Sequence, residues 1–238
     1  MLHSVSRLSG IEMKEYIAFD FDGTLVEFHT DYMFSETHRI LSKLNHPAVS
    51  QDVLEECFSD FDFFRFLRVP DTSANWGPEW EINFKEKFWA EYNWIDFPVP
   101  RLFPETIETL ERLQEMNYEL CIATARALPV NEFREVLERC GLLSYFTIIE
   151  TRASHRDDWQ DKTPQLKRLV ARAGVGPECF TMVGDIPCDI DSAREAKFNR
   201  SIAVQSGGIK KHILEASSPD VVLLHLGDLP NFLLSEQA

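Results

Sequence analysis

The alternation of apolar and polar positions divides the chain into three parts. A short apolar run at residues 16–21 predicts a buried β-strand that ends in acidic residues. The stretch 30–100 is rich in aromatic residues at helical spacing and offers no convincing strand. Helices are expected there over residues 33–44, 49–58 and 79–92.

From residue 104 onward, apolar runs of strand length alternate with amphipathic segments of helix length. Strands are expected over residues 118–123, 146–149, 179–183, 201–204 and 220–224. Helices are expected over residues 105–116, 130–140, 163–173, 189–196 and 229–234. Such an alternation predicts right-handed crossovers and a parallel sheet covered by helices on both faces, which is the α/β class in its doubly wound form.

The chain of 238 residues carries 39 acidic and 24 basic side chains, for a formal net charge of -15. Its apolar fraction of 44% is enough for one large domain, or for a domain that carries an insertion. The negative charge argues against general binding of nucleic acid or of anionic membrane surfaces. An anionic substrate would therefore need a local positive site, such as a metal ion.

The cysteines indicate the compartment. There are five of them, scattered and never in a C-x-x-C spacing, which favours free thiols in a reducing environment. Residues 1–13 lack the apolar core of a signal peptide, and no apolar run reaches the length of a membrane span. A cytoplasmic protein is expected.

The first candidate for chemistry is the pair of aspartates that ends the first strand. In an extended chain Asp20 and Asp22 point to the same face, where their charges repel each other. Such a pair is usually kept for a hard cation or for two different acid/base tasks. Gly23 lets the chain turn sharply after them. A plain turn or a calcium loop would also use these residues.

Further polar residues follow later strands or open helices. Thr124 and Ala125 come after the strand at 118–123, Asp185 and Asp189 after the strand at 179–183, and Lys162 opens a helix. In isolation each has an ordinary explanation: a strand-end threonine, a surface lysine or a helix N-cap. Ligands of doubly wound sheets bind outside the carboxyl ends of the strands. The occurrence of all these polar residues at strand ends or helix starts therefore favours a binding site.

These residues resemble the motifs of a known family. The segments DFDGT (20–24) and GDIPCD (184–189), with Thr124 and Lys162 between them, are similar in order and spacing to the four motifs of the haloacid dehalogenase superfamily. The resemblance implies a Rossmann-like doubly wound core with an inserted all-helical cap.

Within that superfamily, the segments 141–146 and 183–196 look like the phosphoglycolate-phosphatase-like branch. The implied division is a core of residues 1–29 and 101–238 and a cap of residues 30–100. Two positions depart from the pattern of the branch. Lys162 is followed by Thr163 before a proline, and Arg126 occupies a variable place in the second motif.

The resemblance implies phosphoryl transfer through an aspartyl-phosphate. Asp20 would be the nucleophile, and Asp22 the general acid and base. Mg²⁺ would be held by the carboxylates of Asp20 and Asp185 and by the backbone carbonyl of Asp22. Asp189 would support the metal site by orienting a water or Lys162.

The phosphoryl oxygens would be held by Thr124, the backbone N–H of Ala125 and Lys162. Dehalogenases of the superfamily lack an acid at the position of Asp22, so its presence here favours phosphate chemistry. The implied partner is a small phosphorylated substrate, and the oligomeric state stays open.

Two alternatives are weighed against a phosphatase. A phosphomutase would use the same intermediate, and a non-catalytic protein would use the cap as a partner-binding surface. Cap aromatics are expected mostly in the core of a small helical module, with a stacking site for a ring as the other possibility. These aromatics are Trp76, Trp80, Phe84, Phe88, Trp89 and Trp94. Arg65, Arg68 and His29 are further candidates for substrate contacts.

Overall fold

The structure is a computed structural model, which describes residues 14–68, 78–91, 100–152 and 158–237. Its strands are β1 (Tyr16–Phe19), β2 (Glu119–Ala123), β3 (Phe146–Glu150), β4 (Phe180–Gly184), β5 (Arg200–Val204) and β6 (Val221–Leu223). Its helices are α1 (Thr30–Lys43), α2 (Gln51–Ser59), α3 (Pro78–Glu91), α4 (Thr106–Glu115), α5 (Val130–Arg139), α6 (Thr163–Ala173), α7 (Pro187–Glu195), α8 (Lys211–Ala216) and α9 (Leu229–Gln237).

The six strands form one sheet in the order β3-β2-β1-β4-β5-β6. Every pairing in it is parallel, and β1 lies between β2 and β4, with Phe19 opposite Ile122 on one side and Val183 on the other. The winding direction reverses at β1, which places the topological switch point beside its carboxyl end. The α/β doubly wound class predicted from the alternation is confirmed.

The central strand is buried on both faces, which explains its continuous apolar sequence. Ile17 and Phe19 belong to one hydrophobic cluster, together with side chains of α4, α5 and α9. Tyr16 and Ala18 point the other way, into a second cluster with side chains of α6 and α7. The alternation along a single strand therefore fixes two helical layers to one sheet.

Helices α1, α2 and α3 share a third apolar cluster, which also takes in Ile190 of α7 and Leu214 of α8. The chain enters and leaves this helical part side by side. The Glu27 N–H donates to the Arg101 carbonyl at 2.7 Å, and the Phe103 N–H donates to the Leu25 carbonyl at 3.3 Å. The cap boundaries, residues 30–100, stay a prediction.

Several element bounds differ from the sequence expectation. The first strand ends at Phe19 rather than at residue 21, because the chain turns and the Leu25 N–H donates to the Phe21 carbonyl at 2.9 Å. Helix α7 begins at Pro187, two residues before the expected start at Asp189. Helix α8 was not predicted; it has six residues and buries only Leu214, so it has almost no periodic signal.

Candidate active site

Asp20 is the first residue after β1 and is almost completely buried. Its backbone N–H continues the sheet by donating to the Val183 carbonyl at 2.9 Å. The side chain of Lys162, the residue that precedes α6, reaches Asp20 from the helical layer that contains α6. The Lys162 Nζ lies 2.6 Å from Asp20 Oδ1 and 2.5 Å from Asp189 Oδ1, so one buried ammonium pairs with two carboxylates.

Asp20, Asp185 and Asp189 form a buried acidic cluster in which one oxygen of each lies within 4.8 Å of the others. The Thr24 hydroxyl donates to Asp185 Oδ1 at 2.9 Å and orients that carboxylate. Three carboxylates supply the oxygen ligands that a hard cation prefers. The residues at this site therefore fit Mg²⁺. The side chain of Asp22 is not part of this cluster of described residues.

Two glycines allow Asp185 to sit where it does. A Cβ on Gly23 would lie 2.2 Å from Asp185 Oδ2, and a Cβ on Gly207 would lie 1.8 Å from the same atom. Gly23 also has a φ of +81°, a conformation that favours glycine. The 205–207 turn after β5 was not predicted as part of the site. It is further tied in by Ser206, whose hydroxyl donates to the Gly23 carbonyl at 2.7 Å.

Burial affects the protonation of two carboxylates of the acidic cluster, those of Asp20 and Asp185. Desolvation raises the pKa of Asp20 to about 7, although the Lys162 ammonium works in the opposite direction. Burial raises the pKa of Asp185 well above its ordinary range, and the Asp20 charge adds to the effect. For Lys162, burial alone would lower the pKa, but the charges of Asp189 and Asp20 outweigh it and raise the pKa. A divalent cation would therefore compete with protons for these carboxylates.

The carboxylate of Asp22 is held by Arg126, which follows β2. Arg126 Nε donates to Asp22 Oδ2 at 2.7 Å, and its Nη2 donates to Asp22 Oδ1 at 2.6 Å. The guanidinium is buried and lies over the Phe21 ring, 5.0 Å from the centroid. From the sequence, Arg126 was expected only as a departure from the motif, with no partner predicted for it.

Thr124 and Ala125 lie at the carboxyl end of β2, facing the same cavity as Asp20. The Thr124 N–H donates to the Glu150 carbonyl at 3.0 Å, which extends the sheet by one residue. Its hydroxyl accepts a hydrogen bond from the Arg126 N–H at 3.2 Å. The structure therefore brings every residue of the predicted site to one edge of the sheet.

Above these polar groups is a cavity of about 90 Å³ whose cap side is mostly apolar. Its walls there include Phe28, Phe34, Phe58, Phe63, Phe64 and Trp159. Trp159 comes from the loop after β3, not from the cap. Trp159 was not predicted as a site residue, because a single tryptophan in a loop carries no periodic or motif signal.

The residues proposed as substrate contacts, Arg65, Arg68 and His29, are not among the described residues that line the cavity. Arg65 pairs with Asp60 at 2.5 Å, and Arg68 pairs with Asp62.

The described cap aromatics are divided between the interior of the cap and the cavity lining. Trp80 stacks on the fully buried Phe84 at 5.7 Å, whereas Phe88 lines the cavity. Trp76 and Trp94 lie outside the described residues, as does the side chain of Trp89.

The family of the chain follows from comparison with known proteins. The model of the haloacid dehalogenase-like hydrolase family matches residues 17–204. The chain therefore belongs to this family of hydrolases, and the expected superfamily is confirmed.

Individual relatives agree with this. The chain is 27% identical over 220 residues to the phosphoglycolate phosphatase of Vibrio parahaemolyticus, covering 90% of this chain and 93% of that protein. It is 26% identical over 234 residues to the phosphoglycolate phosphatase of Nitrosococcus oceani, covering 96% of this chain and 100% of that protein.

The fold is shared with solved structures. The crystal structure of a predicted phosphoglycolate phosphatase from Haemophilus somnus matches with a TM-score of 0.69 at 21% identity, covering 94% of this chain and 100% of the other. At that identity the likeness concerns the fold. Among the helices that the structure describes, none is long and apolar enough to cross a membrane.

Proposed function

We propose that the protein is a Mg²⁺-dependent phosphatase that hydrolyses a small phosphorylated metabolite through an aspartyl-phosphate on Asp20. The observation that carries the proposal is the buried arrangement of Asp20, Lys162 and Asp185 at the end of β1, in a chain of the haloacid dehalogenase-like hydrolase family. Relatives named phosphoglycolate phosphatase support phosphate esters as the substrates.

In the first step an Asp20 carboxylate oxygen attacks phosphorus, and the bond from phosphorus to the leaving oxygen breaks. Asp22 gives a proton to that oxygen, so the product leaves as an alcohol. In the second step Asp22 takes a proton from a water, whose oxygen attacks the phosphorus of the aspartyl-phosphate. Inorganic phosphate leaves and the Asp20 carboxylate is regenerated.

Charge has to be compensated at the nucleophile. The Asp20 and Asp185 carboxylates and the Asp22 backbone carbonyl would hold Mg²⁺, and Asp189 would support the site through its pairing with Lys162. When bound, the ion supplies positive charge that offsets the repulsion between the Asp20 carboxylate and a phosphate dianion.

The chain's own groups would hold the transferred phosphoryl group. Lys162 offers a buried ammonium, and Thr124 and the Ala125 N–H offer donors at the carboxyl end of β2. Donors fixed in a buried site stabilise charge that develops on the phosphoryl oxygens, because they need no rearrangement at the moment of reaction.

We also propose that the protein acts in the cytoplasm on a small molecule. The net charge of -15 supports a small-molecule substrate over nucleic acid or a membrane surface.

The test is phosphate release from a panel of phosphate esters with Mg²⁺, beside a chelator control. Asp20→Asn is the variant, and Asp191→Asn is its matched control, because Asp191 lies on α7 with an exposed side chain that pairs with Arg194. We expect release that is lost with Asp20→Asn and with chelator, and kept with Asp191→Asn. Release that survives Asp20→Asn would overturn the aspartyl-phosphate. Isomerisation of a sugar phosphate without release would favour the phosphomutase.

A further inference from the structure

We infer that the leaving group of the substrate carries an aromatic ring, or a flat apolar group of similar size, which packs against an aromatic wall above Asp20. The inference rests on the proposed function and specifies the substrate class. The aromatic wall is defined as Phe28, Phe58, Phe63, Phe64 and Trp159.

Four rings of the aromatic wall form a continuous row. The ring centroids of Phe28 and Phe58 lie 5.2 Å apart, those of Phe58 and Phe63 lie 5.4 Å apart, and those of Phe63 and Trp159 lie 5.3 Å apart. All three pairs are tilted by 33° to 39°. The row spans from the segment after β1 to the loop before α6, and so joins cap and core across the cavity.

The rings border the cavity that holds the nucleophile. Phe63 and Trp159 are only half-buried, although each contacts another ring. Asp20 and Lys162 line the same cavity and belong to the core, where they lie directly after β1 and directly before α6. The polar groups of the cavity therefore come mainly from the sheet side and its apolar groups mainly from the cap side, where Thr37 is a polar exception whose hydroxyl donates to the Met33 carbonyl.

The chemistry of the proposed reaction decides which side of the cavity receives the leaving group. In a phosphoryl transfer the attacking and leaving oxygens lie roughly in line on opposite sides of phosphorus. Attack by Asp20 comes from the sheet side, so the leaving oxygen and its substituent point toward the cap. The substituent then contacts the aromatic wall, where burial of its apolar surface stabilises binding. An aromatic substituent would gain further stabilisation by stacking on the wall rings or meeting them edge to face.

A leaving group with its own negative charge fits this side poorly. A carboxylate such as that of phosphoglycolate would lose water against ring faces, whose electrostatics disfavour anions. Among the described residues that line the cavity, the cations are Arg126 and Lys162, and each contacts an aspartate of the proposed mechanism. The described lining therefore favours a neutral ring over a carboxylate.

The test compares phosphate esters that share an O–CH₂ leaving group: benzyl phosphate, isobutyl phosphate and phosphoglycolate. Because all three release a primary alcohol, they separate recognition of the substituent from leaving-group activation. We expect kcat/KM for benzyl phosphate to exceed that for phosphoglycolate by about tenfold or more, with isobutyl phosphate between them. Equal values, or a preference for phosphoglycolate, would overturn the inference.

Variants assign the effect to the wall. Phe63→Leu and Trp159→Leu should each raise KM for benzyl phosphate by about three- to tenfold and change KM for isobutyl phosphate much less. Phe198→Leu is the matched control, since Phe198 is a half-buried ring that stacks on Phe180 at 5.0 Å, at the amino end of β4, and is not among the described residues that line the cavity. An unchanged benzyl preference in both wall variants would contradict the assignment.

A binding measurement guards against variants that fold poorly. Competitive inhibition of the wild-type enzyme by benzylphosphonate should be about tenfold stronger than inhibition by methylphosphonate. Equal inhibition would count against the aromatic wall. If none of the phosphate esters is hydrolysed, the proposed function fails; if phosphoglycolate is hydrolysed best, the function stands and only the substrate class fails.

Discussion

Arg126 donates two hydrogen bonds to the carboxylate of Asp22, one to each oxygen, at 2.7 and 2.6 Å. The two residues are 104 positions apart in the chain and meet because β1 and β2 are neighbours in the sheet. A bidentate arginine–carboxylate pair of this kind fixes both the position and the plane of the carboxylate. Asp22 is the proposed general acid and base, so Arg126 positions the group that has to exchange protons with the leaving oxygen and with water.

Arg126→Ala should destabilise the protein and slow catalysis. It removes a guanidinium that is 2% exposed and leaves the Asp22 carboxylate, 11% exposed, without that partner. Breaking such a buried pair reduces the free energy of unfolding by about 3–5 kcal/mol. A misplaced acid lowers kcat by about 10²-fold, with a smaller effect on KM. Denaturant unfolding and steady-state kinetics measure the two effects.

Controls separate position from charge. Arg126→Lys keeps the positive charge but cannot form the bidentate pair. Compared with Arg126→Ala, it should therefore recover more of the stability than of kcat. Arg134→Ala removes an exposed arginine of α5 and should change neither. Wild-type kcat in Arg126→Ala would show that Asp22 needs no fixed partner.

The sequence predicted the sheet because its signals are local. Strand β1 is continuously apolar and is followed directly by Asp20. Helix α6 was predicted over its full length, residues 163–173, because Gly174 ends it at a φ of +69°. The carboxyl ends of parallel strands meet at one edge, so naming the strands was enough to gather the polar residues that follow them.

Contacts between distant segments could not be predicted in the same way. The pairing of Arg126 with Asp22 depends on neighbouring strands, and the approach of Gly207 to Asp185 depends on β5 lying next to β4. Trp159 reaches Phe63 only after the cap has packed over the core. None of these residues carries a local pattern that indicates its partner.

Without a divalent cation, the protein should lose stability as the pH rises. Asp20 has a pKa near 7 in the fold, against an ordinary value of 3.8, so the folded chain binds its proton more tightly than the unfolded chain does. The stabilisation is fully present below about pH 4 and is lost as the pH rises through about 7, on the order of a few kcal/mol. Denaturant unfolding in chelator at pH 5 and pH 8 measures it.

The Asp20→Asn variant provides the control for this pH dependence. It removes the titrating group, so its stability should vary less between the two pH values than that of the wild type. A wild-type stability that rises from pH 5 to pH 8 in chelator would contradict the burial argument for Asp20.

Mg²⁺ should raise the melting temperature, and more so at pH 8 than at pH 5, because protons and the cation compete for the carboxylates of Asp20 and Asp185, whose pKa values are raised by burial. At 100 times its dissociation constant, a ligand of the folded state contributes about 2.7 kcal/mol. Asp185→Asn should remove most of this gain, whereas Asp191→Asn, an exposed position, should keep it. Thermal denaturation with and without Mg²⁺ tests this independently of activity, and an equal gain in both variants would exclude Asp185 as a ligand.

Alanine substitutions at two glycines test whether Asp185 needs the space beside Gly207 in order to bind Mg²⁺. Gly207→Ala adds a Cβ that would lie 1.8 Å from Asp185 Oδ2, so the carboxylate has to move and the Mg²⁺-dependent gain in melting temperature should fall. Gly174→Ala has no atom within 4 Å of the new Cβ but adopts a φ of +69°. It should lower stability by about 1–2 kcal/mol and leave the gain from Mg²⁺ unchanged. Thermal denaturation of both variants with and without Mg²⁺ separates these effects, and a full gain in Gly207→Ala would mean that Asp185 does not need the space beside Gly207.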